Sequence, residues 1–270
     1  MKFISLFAGI GGFDLGLERA GMTCVAQVEN NRFCQKILTK HWPHVPKFED
    51  VRDVGKHNLP TADLICGGFP CQPHSLAGSR KASKDDQDLW GEFARIIREC
   101  HPPWVLAENV PGILSSETGR FFGRVLADLA ASGYGVEWQS LSAAAFGAPH
   151  IRERVFIVAY HESVREWQLP ISARRPQQES IDSYGLRKSL PNANGKWCQK
   201  QRESITTPQS SARIFTQFEH SRKWEVEPAV GRVVDGFPGR VDRLAGLGNA
   251  VVPQVAEFVG RCILNAQLTK

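Results

Sequence analysis

Short apolar runs alternate with amphipathic stretches along the first 160 residues. "KFISLF" reads as a strand, a glycine turn follows, and "FDLGLERAG" reads as a helix that stops at Gly21. "TCVAQVE" is a second strand, followed by a helical pattern from Asn31 to about Trp42. "ADLICGG" is a third strand, and "DLWGEFARIIREC" repeats its apolar positions at helical spacing. "PWVLAEN" predicts a strand, "GRFFGRVLADLAASG" a helix, and "YGVEWQSLS" and "RVFIVAY" two further strands. This rhythm predicts an α/β fold, a doubly wound and mostly parallel sheet layered with helices. Ligands of such sheets bind beyond the carboxyl ends of the strands.

From His161 to about residue 239 the pattern fades into Pro, Ser, Gln, Asn and Arg, with Trp167, Trp197 and Trp224 scattered among basic residues. It returns in "RVDRLAGLGNAVVPQVAEFVGRCILNA", a turn leading into a helix from about Pro253. The expected organisation is therefore a sheet domain made of 1–160 plus 240–270, with a small loop-rich insert at 161–239. Charge supports the division. The net charge is +5, yet residues 1–160 balance 17 Lys+Arg against 17 Asp+Glu, so the positive excess lies beyond them and hints at a polyanionic partner there.

Seven cysteines at irregular spacing, with no C-x-x-C pair, argue against a disulfide framework and against a zinc site, and no metal is expected. "MKFISLFAGI" has the apolar look of a leader but runs straight into the charged "GGFDLGLERAG" without a small-residue cleavage site. No run approaches 18 uninterrupted apolar residues, so no membrane span is expected, and the reading is of a cytoplasmic protein with reduced thiols.

Four stretches could carry chemistry. "FAGIGGFDLG" links the first strand to the first helix, but Asp14 stands where a third glycine of a dinucleotide fingerprint would be, which favours a smaller cofactor. Glu29, at the end of the second strand, is spaced to take two ribose hydroxyls. In "GGFPCQPHSLAG", Cys71 follows a buried strand and Pro70 at the sheet's carboxyl edge. It could fill the core, close a disulfide, bind a metal or act as a nucleophile. The composition weakens the second and third readings, and core filling fits Cys66 better. The stretch 72–89 is long, charged and glycine-punctuated, as a closing flap would be. "LAENVPG" places Glu108 at another strand exit, where a carboxylic acid could protonate a ring nitrogen, and Asn109 before a turn. "HIRERVFIVA" puts Arg152 and Arg154 on one strand face, suited to a phosphate or a polarised carbonyl.

In this order, "FAGIGGFDLGLERAG", "GGFPCQPHS", "AENVPG", "FGAPHIRERVFIVA" and "RLAGLGNAVVPQVA" resemble the motifs of DNA cytosine-C5 methyltransferases, over about residues 3–160 and 240–260. The resemblance implies a Rossmann-like class I methyltransferase that uses S-adenosylmethionine, with 161–239 as its target-recognition region. It implies that the Cys71 thiolate adds to C6 of a cytosine flipped out of duplex DNA, while Glu108 bonds N3 and the exocyclic amine. Arg152 would touch the cytosine carbonyl or help place the Cys71 loop, with Arg154 in support. Phe7, Gly9, Gly11, Glu29, Asp50, Pro70, Leu89 and Asn249 match cofactor-contacting positions. Two departures stand out: His150 where the family usually has Gln, and Asn30 where an aromatic residue often stacks on the adenine.

Within the insert, Arg174, Arg175, Arg187, Lys188, Lys196 and Arg222 are candidate DNA contacts. The implied partner is double-stranded DNA, met by a monomer, with a cognate restriction endonuclease as a further candidate. The small size suits a phage or prophage orphan enzyme or a restriction-system partner. The rivals are a tRNA cytosine methyltransferase, a catalytically silent DNA-binding relative, and a nucleotide-dependent dehydrogenase. The last fails on the glycine pattern and leaves Cys71 without a use.

Overall fold

Seven strands form one mixed sheet in the order β3-β2-β1-β4-β5-β7-β6. They are β1 (Lys2–Leu6), β2 (Thr23–Val28), β3 (Lys47–Phe48), β4 (Leu64–Gly68), β5 (Trp104–Asn109), β6 (Tyr134–Ser142) and β7 (Glu153–His161). The computed structural model describes residues 1–70, 89–161, 164 and 246–268, all within one compact unit of the chain. The Cys71 loop, the 72–88 part of the expected flap and nearly all of the insert, with its six basic candidates, lie outside the described residues.

The first five strands pair in parallel, as the alternation with helices predicts. β6 and β7 follow each other without an intervening long helix, and β7 runs antiparallel to both β5 and β6. A connection of about ten residues suits an antiparallel partner, whereas a parallel crossover needs a dozen residues or more, usually with a helix. β3 was not anticipated, because a two-residue strand carries no periodicity to read.

Among the described residues, five α-helices of eight residues or more cover the sheet: α1 (Gly12–Arg19), α2 (Arg32–His41), α3 (Trp90–Cys100), α4 (Arg120–Ala131) and α5 (Pro253–Leu268). Period-two alternation sorts the strand side chains between two layers. Ile4, Leu6, Val28, Ile65, Val105 and Ala107 pack with Trp90 and Phe93 of α3 and with Phe122 and Val125 of α4. The other face carries the row Gln27–Ser5–Cys66, set side by side by the strand register, against α1.

The C-terminal helix returns to the N-terminal one. α1 and α5 pack together, and Arg261 donates to the Arg19 carbonyl at 3.2 Å. Gly16 makes this approach feasible: a Cβ there would lie 2.5 Å from Ala256 Cβ and 2.5 Å from the Pro253 oxygen. The glycine that weakens α1 as an isolated helix is what lets the last helix complete the layer.

Candidate active site

The strand order reverses at β1 and β4, and the carboxyl ends of the strands meet there, the usual crevice of a doubly wound sheet. Phe7, just after β1, is left-handed at φ 52°, and Gly9 and Gly11 follow at 56° and 88°. Ala8 N–H donates to the Val28 carbonyl and Gly11 N–H to the Ala8 carbonyl, so the turn is tied to β2 and to itself. Glu29 closes the arrangement. Its carboxylate accepts from Gly9 N–H and from Asn31 N–H, each at 2.7 Å. Asn31, read from sequence as the first helical residue, instead caps α2 by accepting from Phe33 and Cys34 N–H, and the helix begins one residue later. Each Glu29 oxygen keeps a lone pair beyond the one these bonds use, enough to receive a diol.

Beside this turn is a cavity of about 260 Å³. Phe7, Val28, Val51 and Leu89 form its apolar walls, and Glu29, Asn30, Glu49, Asp50 and Arg52 its polar rim. Four expected cofactor residues, Phe7, Glu29, Asp50 and Leu89, therefore line one cavity. Gly9 and Gly11 shape the loop next to it. Pro70 and Asn249 are exposed and are not among the lining residues. Glu49, Val51 and Arg52 went unread because they follow β3. The size lies near the lower end of the range of about 300–1,000 Å³ for small-molecule sites, which fits a nucleoside better than a dinucleotide. Asp50 also caps the 51–53 turn, accepting from Arg52 N–H at 2.9 Å.

Glu108 lies on the other side of the β4 exit. β5 is buried along its whole length, and its register sets Glu108 between Gly68 of β4 and Phe156 of β7. A Cβ at position 68 would come within 2.9 Å of Glu108 Oε2, so the glycine there makes room for the carboxyl. Arg154 Nε lies 3.0 Å from Glu108 Oε1. Burial pushes the Glu108 carboxyl up to about 7, against the pull of Arg154 and Arg152.

The two arginines diverge. Arg154, on β7, pairs with Glu108, whereas Arg152 precedes the strand at φ 30° and donates to the carbonyls of Gly248, at 2.8 Å, and Ala250. It thereby ties the 246–250 segment to the start of β7. Asn109 braces the β4 exit: its Nδ2 donates to the Phe69 carbonyl at 2.9 Å and its Oδ1 accepts from Val110 N–H. The Phe69 ring packs in turn on Trp90, Phe93 and Phe121. The chain is held firmly two residues before Cys71.

One sequence model decides the family: that of the C-5 cytosine-specific DNA methylases matches residues 1–235. The chain belongs to this family. Among methylases it is 35% identical to the Type II methyltransferase M.HgiCII of Herpetosiphon aurantiacus over 60% of its length, which covers 38% of that protein. It is 32% identical to the Type II methyltransferase M.FnuDI of Fusobacterium nucleatum over 85% of its length, covering 69% of that relative. The chain thus spans well under half the length of the first and about two thirds of the second. The fold resembles that of the Dnmt2 methyltransferase crystal structure from S. pombe, with a TM-score of 0.57, 16% identity, and coverage of 98% and 99% of the two chains.

The chain also holds a buried carboxylate that its motifs did not announce. Asp14, on α1, is wholly enclosed and accepts from Ser5 Oγ at 3.0 Å, Gln27 Nε2 at 2.7 Å and Cys24 Sγ at 3.4 Å. It fastens the first turn of α1, and so the glycine loop before it, to β1 and β2. Burial pushes its carboxyl up, with those hydrogen bonds pulling the other way. Burial likewise raises the thiols of Cys24, Cys66, Cys100 and Cys262, which makes them poor nucleophiles. Cys66 is fully buried inside β4, the core role expected of it. Among the described residues no group of three His, Cys, Asp or Glu side chains could hold a metal ion, and no helix is long and apolar enough to cross a membrane.

Proposed function

We propose that this chain transfers a methyl group from S-adenosylmethionine to C5 of a cytosine flipped out of double-stranded DNA, through a bond between Cys71 Sγ and C6. One observation carries the reading: a buried carboxyl poised near neutrality, Glu108, beside the strand exit that leads to Cys71. Cytosine C5 is a weak nucleophile. Attack by the Cys71 thiolate at C6 moves an electron pair toward C5, and the Glu108 carboxyl stabilises the resulting charge by donating to N3. Arg154 holds that carboxyl in place, and Asn109 holds the backbone from which Cys71 is presented. The cofactor, when bound, supplies the methyl group as an electrophilic sulfonium. Loss of the C5 proton to a base and expulsion of the thiolate then restore the ring.

The cavity between Phe7, Glu29, Asp50 and Leu89 would hold the cofactor, with Glu29 receiving its ribose hydroxyls. The basic excess beyond residue 160 supports residues 161–239 as the part that reads DNA, with 1–160 and 240–270 as the catalytic domain. The chain would act on duplex DNA as a cytoplasmic monomer. Incubation with tritiated cofactor, with duplex DNA and tRNA in separate reactions, tests the assignment. Label should enter DNA, and Cys71→Ser should abolish it while DNA binding survives. Label in tRNA alone, or in neither, would overturn the reading.

A further inference from the structure

We propose that Arg95 is a positioning residue of this cavity, holding to α3 the 51–54 turn that supplies part of its wall, an inference that rests on the cofactor reading above. The lining residues differ in how they are fixed. Phe7, Val28 and Glu29 lie at the ends of β1 and β2, which the sheet ladder holds. Glu49, Asp50, Val51 and Arg52 follow β3, a strand of two residues, so the ladder stops just before them. Val51 and Val54 bury their side chains in the core, which sets the depth of the turn. The direction of its backbone is set from α3.

Arg95 Nη2 donates to the carbonyls of Val51, at 3.0 Å, and Val54, at 2.9 Å. Its Nε and Nη1 donate to Glu92 and Glu99, each at 2.8 Å. Glu99 Oε2 also accepts from Lys56 N–H at 3.3 Å, and a Cβ at Gly55 would collide with that oxygen. The backbone after the turn thus lies directly on the Arg95–Glu99 pair. Helix α3 belongs to the cavity's frame as well. Leu89, just before its first residue, lines the cavity, and Phe93 packs on the Phe7 ring with centroids 6.2 Å apart. Four acceptors around one side chain call for a guanidinium, a rigid planar fork of N–H donors, whereas Lys brings one nitrogen on a flexible stem. The two carboxylates balance its charge and leave Nη2 to the neutral carbonyls. A turn held in its bound geometry beforehand needs no ordering when the ligand arrives, and a loosened one does.

Calorimetric titration with S-adenosylhomocysteine, run below the melting transition of every variant, separates positioning from general stability. The wild type should bind. Arg95→Ala should weaken binding about ten-fold and raise the KM for S-adenosylmethionine by a similar factor, with kcat changed far less. Arg95→Lys should remain about five-fold weaker than wild type, since one ammonium cannot replace the fork. Tyr134→Phe serves as the comparison: it removes the buried 2.7 Å bond to the Pro102 carbonyl, away from the cavity lining. It should lose stability yet keep its affinity within about two-fold of wild type. Arg95→Ala binding as tightly as wild type would overturn the inference. So would an equal loss of affinity in Tyr134→Phe, which would mean that binding merely follows stability. Should Arg95→Ala fail to fold, Arg95→Lys decides, and wild-type affinity in that variant would overturn the inference too. Absence of binding by the wild type would remove the cofactor reading and this inference with it.

Discussion

Replacing Glu108 with Gln isolates the cost of the buried carboxyl. The carboxyl, ordinarily near 4.5, titrates at about 7 in the folded protein because burial disfavours its charge. Below about pH 4.5 the folded and unfolded states both hold the proton, and the group is neutral to stability. Between 4.5 and 7 the unfolded chain gives the proton up first, so folding becomes less favourable as pH rises. Above 7 the folded state must keep a buried carboxylate, and the full penalty applies. At about 1.4 kcal/mol per pH unit, the gap amounts to about 3 kcal/mol. The Glu108 side chain is only 9% exposed, so solvent screening removes little of this.

Gln has nearly the same shape and no charge to desolvate. Urea denaturation of both proteins at about pH 5 and pH 8.5 measures the difference, and the other titrating groups cancel between them. The stability of Glu108→Gln relative to wild type should rise by about 2–3 kcal/mol from the lower pH to the higher, a little less than the full gap because part of the penalty is already present at about pH 5. A difference that stays flat, or that falls with pH, would show that Glu108 is ionised in the folded protein across this range. The proton-donating role would then fail.

Gly16→Ala should destabilise the fold by about 1–2 kcal/mol, because the clash with Ala256 and Pro253 on α5 outweighs the better helix propensity of Ala. The thermal midpoint, read by circular dichroism, should drop by several degrees. Asn109→Ala should cost about 1–3 kcal/mol in urea, since it leaves the buried Phe69 carbonyl without its donor. Asn109→Asp, which sets an acceptor against that carbonyl, should cost more. Both should slow methyl transfer by the folded enzyme, measured with saturating DNA, because the strand exit leading to Cys71 loses its brace.

At this edge, local signals in the sequence match the structure and non-local ones do not. Glu29, Asp50, Leu89 and Phe7 meet in one cavity, as strand-end placement and the family motifs implied. Arg152 and Arg154 read as neighbours on one face because alternation was the only information available. The left-handed backbone at Arg152 breaks that alternation and sends its guanidinium to the carbonyls of Gly248 and Ala250. Asp14 was read only as the residue that spoils a dinucleotide fingerprint. Its function as an enclosed fastener depends on Ser5, Cys24 and Gln27, which the sheet register alone assembles around it.

By itself the chain's order of residues determined the alternation of strands and helices, the helical stretch that begins near Asn31, the strand-end position of Glu108 and the family. These are local, set by side-chain periodicity and by contacts a few residues apart. Tertiary structure decided the antiparallel β6 and β7, the Glu108–Arg154 pair, the fit of Gly16 against α5 and the place of Arg52 on the cavity rim. Each joins segments distant in the chain or depends on how strands are ordered. A carboxyl's proton affinity follows from what surrounds it in space, which linear spacing does not encode.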